Sequence, residues 1–320
     1  MDTVDISDLK PHEKEFGKSR ALVRGVCSEF KRRGYNVGAF DATTASDVLS
    51  GSGLSSSAAF EVLLGTIINH LFNDGKVSDV EIAQIAQAAE NKFFGKPCGL
   101  LDQMTSSVGS FVEIDFADPA KPVIEKVNFD FASCGYALCI VDTGGSHSDL
   151  TDEYAAVRKE MESVAAYLGK SVLREVDESE FMKNIADIRS SCGDRAVLRA
   201  MHFYGDNARV EKQAAALRAG DFKTFMKYII ESGRSSYMYN QNVYSCKKAA
   251  EQPVSLALSL SEKLLDGCGA WRVHGGGFAG TIQAFVPLNK LDEYKDLMER
   301  VFGSGSCYVL SVRPVGGVEL

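Results

Sequence analysis

Apolar residues recur at helical spacing in the segment 21–33 (Leu22, Val26, Phe30) and break off at Gly34. A strand-like stretch follows from Tyr35 to Leu49. The segment Ala58 to Phe72 is apolar nearly all round, interrupted by Glu61 and Asn69, and predicts a buried helix too short to span a bilayer. Ser78-Asp79-Val80-Glu81 is a capping box, and it opens a helix with Ile82, Ile85, Ala86, Ala89 and Phe93 on one face. Residues 95–109 form a Gly/Pro-bounded loop with a short helical continuation. Strand patterns then occupy Phe111–Phe116, Val123–Phe129 and Tyr136–Asp142. From 149 to about 232 the spacing is mostly helical. The ending reads helix (Pro253–Leu265), glycine-rich corner (His274–Gly280), strand (Thr281–Pro287), helix (Leu291–Phe302) and strand (Cys307–Val312). This pattern predicts an α+β protein of two domains, 1–145 and 146–320, parted where a strand gives way to glycines near Thr143–Ser148.

The 320 residues carry 45% hydrophobic and 24% charged side chains, enough to bury a sizeable core. The formal charge of −8 argues against a general nucleic-acid or anionic-membrane binder, though local phosphate binding stays open. Eight cysteines, at 27, 98, 134, 139, 192, 246, 268 and 307, include no C-x-x-C pair or Cys/His cluster, which gives a structural zinc site no support. They read as buried thiols of a reducing compartment, and the polar N-terminus lacks the apolar core of a signal peptide. The expected location is cytoplasmic.

Three stretches could carry chemistry. Gly51-Ser52-Gly53-Leu54-Ser55-Ser56-Ser57 runs directly into the buried helix. A helix N-terminus offers unpaired N–H groups to an anion, and serines add donors or Mg²⁺ ligands. The loop has no Walker A lysine, which excludes that mechanism. It reads equally as a turn with an N-cap serine. The second stretch, Gly95 to Gln103, sets Asp102 at a constrained turn, either as an N-cap or as a general base. Glu90, off the apolar stripe of its helix, reads by itself as a solvated residue. In the third, His274-Gly275-Gly276-Gly277-Phe278-Ala279-Gly280, consecutive glycines indicate a tight corner or a close backbone approach, with His274 structural. His12, His70, His147 and His202 are scattered and receive no role. Tyr154 shares a helix face with Val157, Met161 and Leu168, where core packing is the default explanation.

The combination and order of these stretches is more specific than any one of them. Gly-Leu-Ser-Ser-Ser-Ala, then Pro-Cys-Gly-Leu-Leu-Asp-Gln, then Gly-Gly-Gly-Phe-Ala-Gly, resembles the GHMP kinase superfamily. Cys98 to Gln103 and the closing Val312-Arg313-Pro314-Val315-Gly316-Gly317 narrow the resemblance to the galactokinases, from about Leu22 onward. It implies a ribosomal-S5-like N-terminal domain and a ferredoxin-like C-terminal domain. It also implies ATP-dependent phosphorylation of the anomeric hydroxyl of galactose, giving galactose 1-phosphate. Gly51 to Ser57 then wrap the nucleotide phosphates, with Ser57 and Glu90 holding Mg²⁺. Glu90 lies 12 residues before Asp102, as the family pattern requires, which overturns the solvated reading. Asp102 matches the catalytic base, Gly99 a backbone contact to the sugar, and Tyr154 the tyrosine that contacts it.

The family's first signature, Gly-Arg-x-Asn-x-x-Gly-Glu-His-x-Asp-Tyr, does not occur between Met1 and Ser50, and Pro11-His12-Glu13-Lys14 does not match it. The chain therefore reads as the C-terminal part of a longer kinase, expected to phosphorylate galactose poorly as written. It is also expected to leave surface through which an oligomer could form. His274 and Ala279 stand where many galactokinases have threonine and glycine. Two alternatives remain: a nucleotide-binding, catalytically impaired relative with a regulatory role, and an N-acetylgalactosamine kinase.

Overall fold

A computed structural model describes residues 3–48, 55–96, 98–118, 121–145, 150–278 and 280–320. Contacts divide the chain into two compact units. One comprises 1–114, 124–128 and 313–320, and the other 115–123 and 129–312.

The first unit is largely helical: α1 (Ser19–Arg32), α2 (Ser56–Asn73), α3 (Asp79–Ala89), a π-helical turn (Glu90–Phe94) and α4 (Leu101–Val108). A two-stranded sheet, β1 (Phe111–Asp115) with β2 (Val123–Val127), follows them. The helical spacing works as expected: Val26 and Phe30 of α1, Val62 and Ile68 of α2, and Ile82, Ile85 and Ala89 of α3 form one buried cluster. Gly25 lets α1 settle on α3, since a Cβ there would lie 2.7 Å from the Ala89 Cβ. Ser78 caps α3 by accepting the Glu81 N–H at 3.3 Å.

The expected strand over 35–49 is not present within the described residues. Asn36 hydrogen-bonds the Asn73 side chain with both its N–H (2.9 Å) and its C=O (3.0 Å), so a side chain takes the place of a ladder partner. Phe40 stacks obliquely on Phe72. The closing Val315-Gly316-Gly317 lies on the end of α4 and on α2, where a Cβ at either glycine would overlap the Ser107 carbonyl or the Thr66 hydroxyl. Lys126 fastens this strap through the Pro314 carbonyl at 2.9 Å.

The second unit holds a four-stranded antiparallel sheet in the order β4-β5-β3-β6: β3 (Tyr136–Asp142), β4 (Ala270–Val273), β5 (Thr281–Pro287) and β6 (Cys307–Leu310). Tyr136 faces Pro287 and Asp142 faces Thr281 across β3 and β5, and Val141 faces Cys307 across β3 and β6. Helices α5 (Thr151–Tyr167), α6 (Glu178–Lys183), α7 (Ile185–Cys192), α8 (Asp194–Arg218), α9 (Phe222–Ser235) and α10 (Pro253–Leu265) connect β3 to β4, and α11 (Leu291–Phe302) connects β5 to β6. With the helices between β3 and β4 counted as one connection, this is the β-α-β-β-α-β order of a ferredoxin-like sheet. Its core joins Cys139, Val141, Ile282, Ala284 and Val286 of the strands to Leu265, Tyr294 and Met298 of α10 and α11. Because β3 is an inner strand of this sheet, the division by contacts falls near residue 129 and not at the expected 145/146. Among the described residues, no helix is long and apolar enough to cross a membrane.

Candidate active site

The phosphate loop was expected over Gly51–Ser57, of which Gly51, Ser52, Gly53 and Leu54 lie outside the described residues. Ser55 stands at the N-cap of α2 in the left-handed region (φ 55°, ψ 50°), uncommon for a residue with a Cβ and a pointer to function. Its hydroxyl makes no capping bond and donates instead to Asp102 Oδ2 at 2.6 Å. The leading N–H groups of α2 thus have no side-chain cap from Ser55, the condition under which a helix start binds an anion. Asp102 is exposed in the first turn of α4, where the helix dipole favours a carboxylate. The cap of that helix is Leu100, so the reading of Asp102 as an N-cap does not hold.

One turn into α2, Ser57 donates its hydroxyl to Glu90 Oε1 at 3.0 Å. Glu90 is 2% exposed, so its bland reading as a solvated residue is wrong: the helical wheel placed it off the α3 stripe, but α2 and α4 cover that side. The second oxygen of Glu90 accepts from Gln103 Nε2 at 2.7 Å, and Lys96 Nζ stands 3.6 Å from the first. The same Gln103 nitrogen lies 3.3 Å from Glu61 Oε2 and 3.5 Å from Cys98 Sγ. Glu61 is fully buried. Burial, and then the nearby Glu90 carboxylate, push its carboxyl up to about 8. Burial and Glu90 likewise push the Cys98 thiol up to about 12. Glu61 Oε1 and Gln103 Oε1 are buried with no hydrogen-bond partner among the described residues.

Oxygen donors from a carboxylate and a hydroxyl, with acceptors left over beside them, suit a hard divalent cation. Among the described residues no three His, Cys, Asp or Glu side chains converge as a metal cage. Mg²⁺ characteristically needs only one or two protein carboxylates beside substrate phosphates. Gly99 is exposed, and a Cβ added there would meet no atom within 4 Å. Its loop is fixed next door: Cys98 N–H donates to Asn91 Oδ1 at 2.6 Å.

In the second unit, Tyr154 on α5 donates its hydroxyl to the Gly277 carbonyl at 2.8 Å, and its ring meets Phe278 edge-on at 5.3 Å. The glycine corner is what admits the ring, since a Cβ at Gly276 would lie 2.8 Å from Tyr154 Cε1. His274 turns away to Gln283 Oε1 at 3.2 Å, the structural role expected for it. A cavity of about 620 Å³ is lined in part by Thr143, Gly144, Leu150, Ser245, Lys248 and Phe278.

The family model described as "GHMP kinases N terminal domain" matches residues 21–110. The galactokinase of Actinobacillus pleuropneumoniae serotype 3 is 31% identical over 306 residues, spanning 93% of this chain and 75% of that one. The chain belongs to the galactokinase family of GHMP kinases. A second galactokinase, from Thermotoga petrophila, is 31% identical over 303 residues, 95% of this chain and 79% of its own. Lactococcus lactis galactokinase, solved in complex with galactose, shares the fold at a TM-score of 0.72 and 23% identity, covering 99% of this chain and 80% of that one. The chain thus spans about three quarters of the length of the galactokinases it matches.

Within this galactokinase framework, the structure brings together Ser55 with Asp102 and Ser57 with Glu90, two pairs expected to share a site. It adds Glu61 and Gln103, which sequence reasoning passed over. A signal for Glu61 was available: it is the one acidic residue of α2, and it follows Ser57 by four positions, on the same face.

Proposed function

We propose that this galactokinase-family chain transfers the γ-phosphoryl group of ATP to the anomeric hydroxyl of galactose, giving galactose 1-phosphate. The observation that carries the reading is the 2.6 Å hydrogen bond from Ser55, last of the phosphate-loop residues before α2, to Asp102. It holds the expected base against the helix start that would bind the phosphates. Phosphoryl transfer asks a protein mainly for positioning and charge stabilisation. The α2 N-terminus, with Ser55, Ser56 and Ser57, supplies N–H and hydroxyl donors to phosphate oxygens. Asp102 takes the proton of the sugar hydroxyl as that oxygen bonds to the γ-phosphorus and ADP leaves. Ser57 and Glu90 would hold Mg²⁺, which when bound neutralises charge on the phosphates. Gly99 and Tyr154 carry the sugar contacts, and the corner that admits the Tyr154 ring fixes that side chain before any sugar arrives.

The test is a coupled ADP-release assay with galactose and with N-acetylgalactosamine. Asp102→Asn should lower turnover about 10²- to 10⁴-fold. Its stability should change by no more than about 1 kcal/mol, because the residue is exposed and asparagine keeps an acceptor for the Ser55 hydroxyl. Where the parent turns over galactose measurably, turnover within twofold of it would remove Asp102 as the base. Preference for the amino sugar would move the substrate assignment. Mg·ATP binding without ADP release by the parent chain would favour a catalytically silent, nucleotide-binding relative.

A further inference from the structure

Three helices of the first unit converge on one side-chain amide. Gln103, from α4, points its nitrogen at Glu90 (2.7 Å) and at Glu61 of α2 (3.3 Å). Glu90 in turn accepts the Ser57 hydroxyl. Other buried acids in the chain are compensated differently: Glu29 has Arg32 at 2.7 Å and Lys92 at 2.9 Å, and Glu153 accepts from Ser245 at 3.0 Å. Glu61 has no Lys or Arg within ion-pair distance among the described residues, and one of its oxygens is orphaned. A carboxyl buried without a cation is costly, and an apolar residue would serve the α2 core at lower cost.

We propose that Glu61 is a positioning residue: it holds the Gln103 amide, and that amide sets the Glu90 carboxylate against the Ser57 hydroxyl. The inference rests on the reading of Ser57 and Glu90 as the Mg²⁺ pair. Without an acceptor on Glu61, the Gln103 nitrogen loses one of its two carboxylate anchors and keeps only Glu90 and the weak sulfur acceptor of Cys98 at 3.5 Å, so the amide holds Glu90 less firmly. Gln103 also follows Asp102 directly, so the same anchor steadies the first turn that bears the base.

What the geometry asks of Glu61 is an acceptor oxygen, and a glutamine at position 61 retains one. Outer-shell partners of this kind alter metal affinity about 10- to 100-fold when removed. The experiment measures binding of Mn²⁺·ADP by electron paramagnetic resonance, with cooperative thermal melting checked for each variant. Glu61→Leu should weaken binding about 10-fold, Gln103→Leu should do the same, and Glu61→Gln should restore affinity close to that of the parent. Glu90→Gln should weaken it more than any of these. In turnover, Glu61→Leu should raise KM for Mg·ATP more than it lowers kcat.

Unchanged Mn²⁺·ADP affinity in Glu61→Leu would overturn the proposal, as would a loss in Glu61→Gln equal to that in Glu90→Gln, which would make Glu61 a ligand through its charge. Should Glu61→Leu not fold, Gln103→Leu decides, and unchanged affinity there has the same force. Unchanged affinity in Glu90→Gln would show that the metal assignment itself had failed, and the proposal with it.

Discussion

In the first unit, Glu61 and Glu90 bring two acids together around one neutral amide, and acceptor atoms of Glu61 and Gln103 are left over. In the second, two buried clusters set each charge against an opposite one. Arg199, fully buried, meets Glu160 at 2.9 Å and the Asn240 carbonyl at 3.0 Å. Asp206 gathers Ser232 (2.6 Å), Arg209 (3.0 Å) and His202 (3.6 Å), while His202 also meets the Ser235 hydroxyl. Nη2 atoms of Arg199 and Arg209 are orphaned there too, but each guanidinium already has its carboxylate. Burial works against Asp206 as an anion, yet Ser232, Arg272 and His202 outweigh it and hold its carboxyl below the ordinary range. The same desolvation thus leaves one acid strongly raised and another lowered, depending on what faces it. The second arrangement locks helices together. The first leaves acceptors that an incoming cation can satisfy.

Neutralising Glu160 should therefore destabilise the second unit, whereas neutralising Glu61 should stabilise the first. Glu160→Gln, which leaves Arg199 buried without its charge partner, should cost about 3 kcal/mol in urea unfolding. A loss below about 1 kcal/mol would mean that the Asn240 carbonyl and the amide left at position 160 satisfy Arg199 without the Glu160 charge.

The pH profiles should slope in opposite directions. Glu61 is raised from 4.5 to about 8, so the folded state keeps a proton that the unfolded chain releases, and stability falls as pH climbs through that window. Glu61→Gln should consequently gain on the parent progressively as pH climbs from about 4.5 to 8, by at most about 1.4 kcal/mol for each pH unit, in melting curves taken without metal. His202 is lowered from 6.5, chiefly by burial: the folded state refuses a proton that the unfolded chain accepts, and stability is lost as pH drops below 6.5. His202→Gln should flatten that acid-side loss. Parallel curves for the parent and Glu61→Gln would show that the acid pair is compensated after all.

The smallest effect is expected at the glycine corner. Tyr154→Phe gives up one hydrogen bond to the Gly277 carbonyl and should cost about 1 kcal/mol, read as a small drop in melting temperature. In the same variant the KM for galactose should rise; an unchanged KM would leave Tyr154 a packing residue.

Elements with a strong internal period were legible: Pro253–Leu265, Thr281–Pro287, Leu291–Phe302 and Tyr136–Asp142 have the bounds that the spacing predicts. The stretch over 35–48 had strand composition, but pairing is a property of a neighbour, and here the neighbour is the Asn73 side chain. The unit boundary failed for the same reason, since glycines at 144 and 145 mark a turn and do not say with which sheet β3 pairs. Asp102, Ser57 and Glu90 were reached through motif order. Glu61 and Gln103 were not: the place of Glu61 on the Ser57 face was visible, but the amide that it meets comes from another helix, 42 positions along the chain.

The sequence by itself determined the helices and strands with clear periods, the glycine positions and the family, because periodicity and motif order are local and survive without knowledge of contacts. Only the tertiary structure decided that Ser55 turns its hydroxyl to Asp102, that Glu90 is buried, and that Glu61 and Gln103 stand behind it. Those facts depend on which helix faces which, across separations of 13 to 47 residues. Desolvation and hydrogen bonding act on such spatial neighbours, and they, not position along the chain, set the charge and orientation of each group.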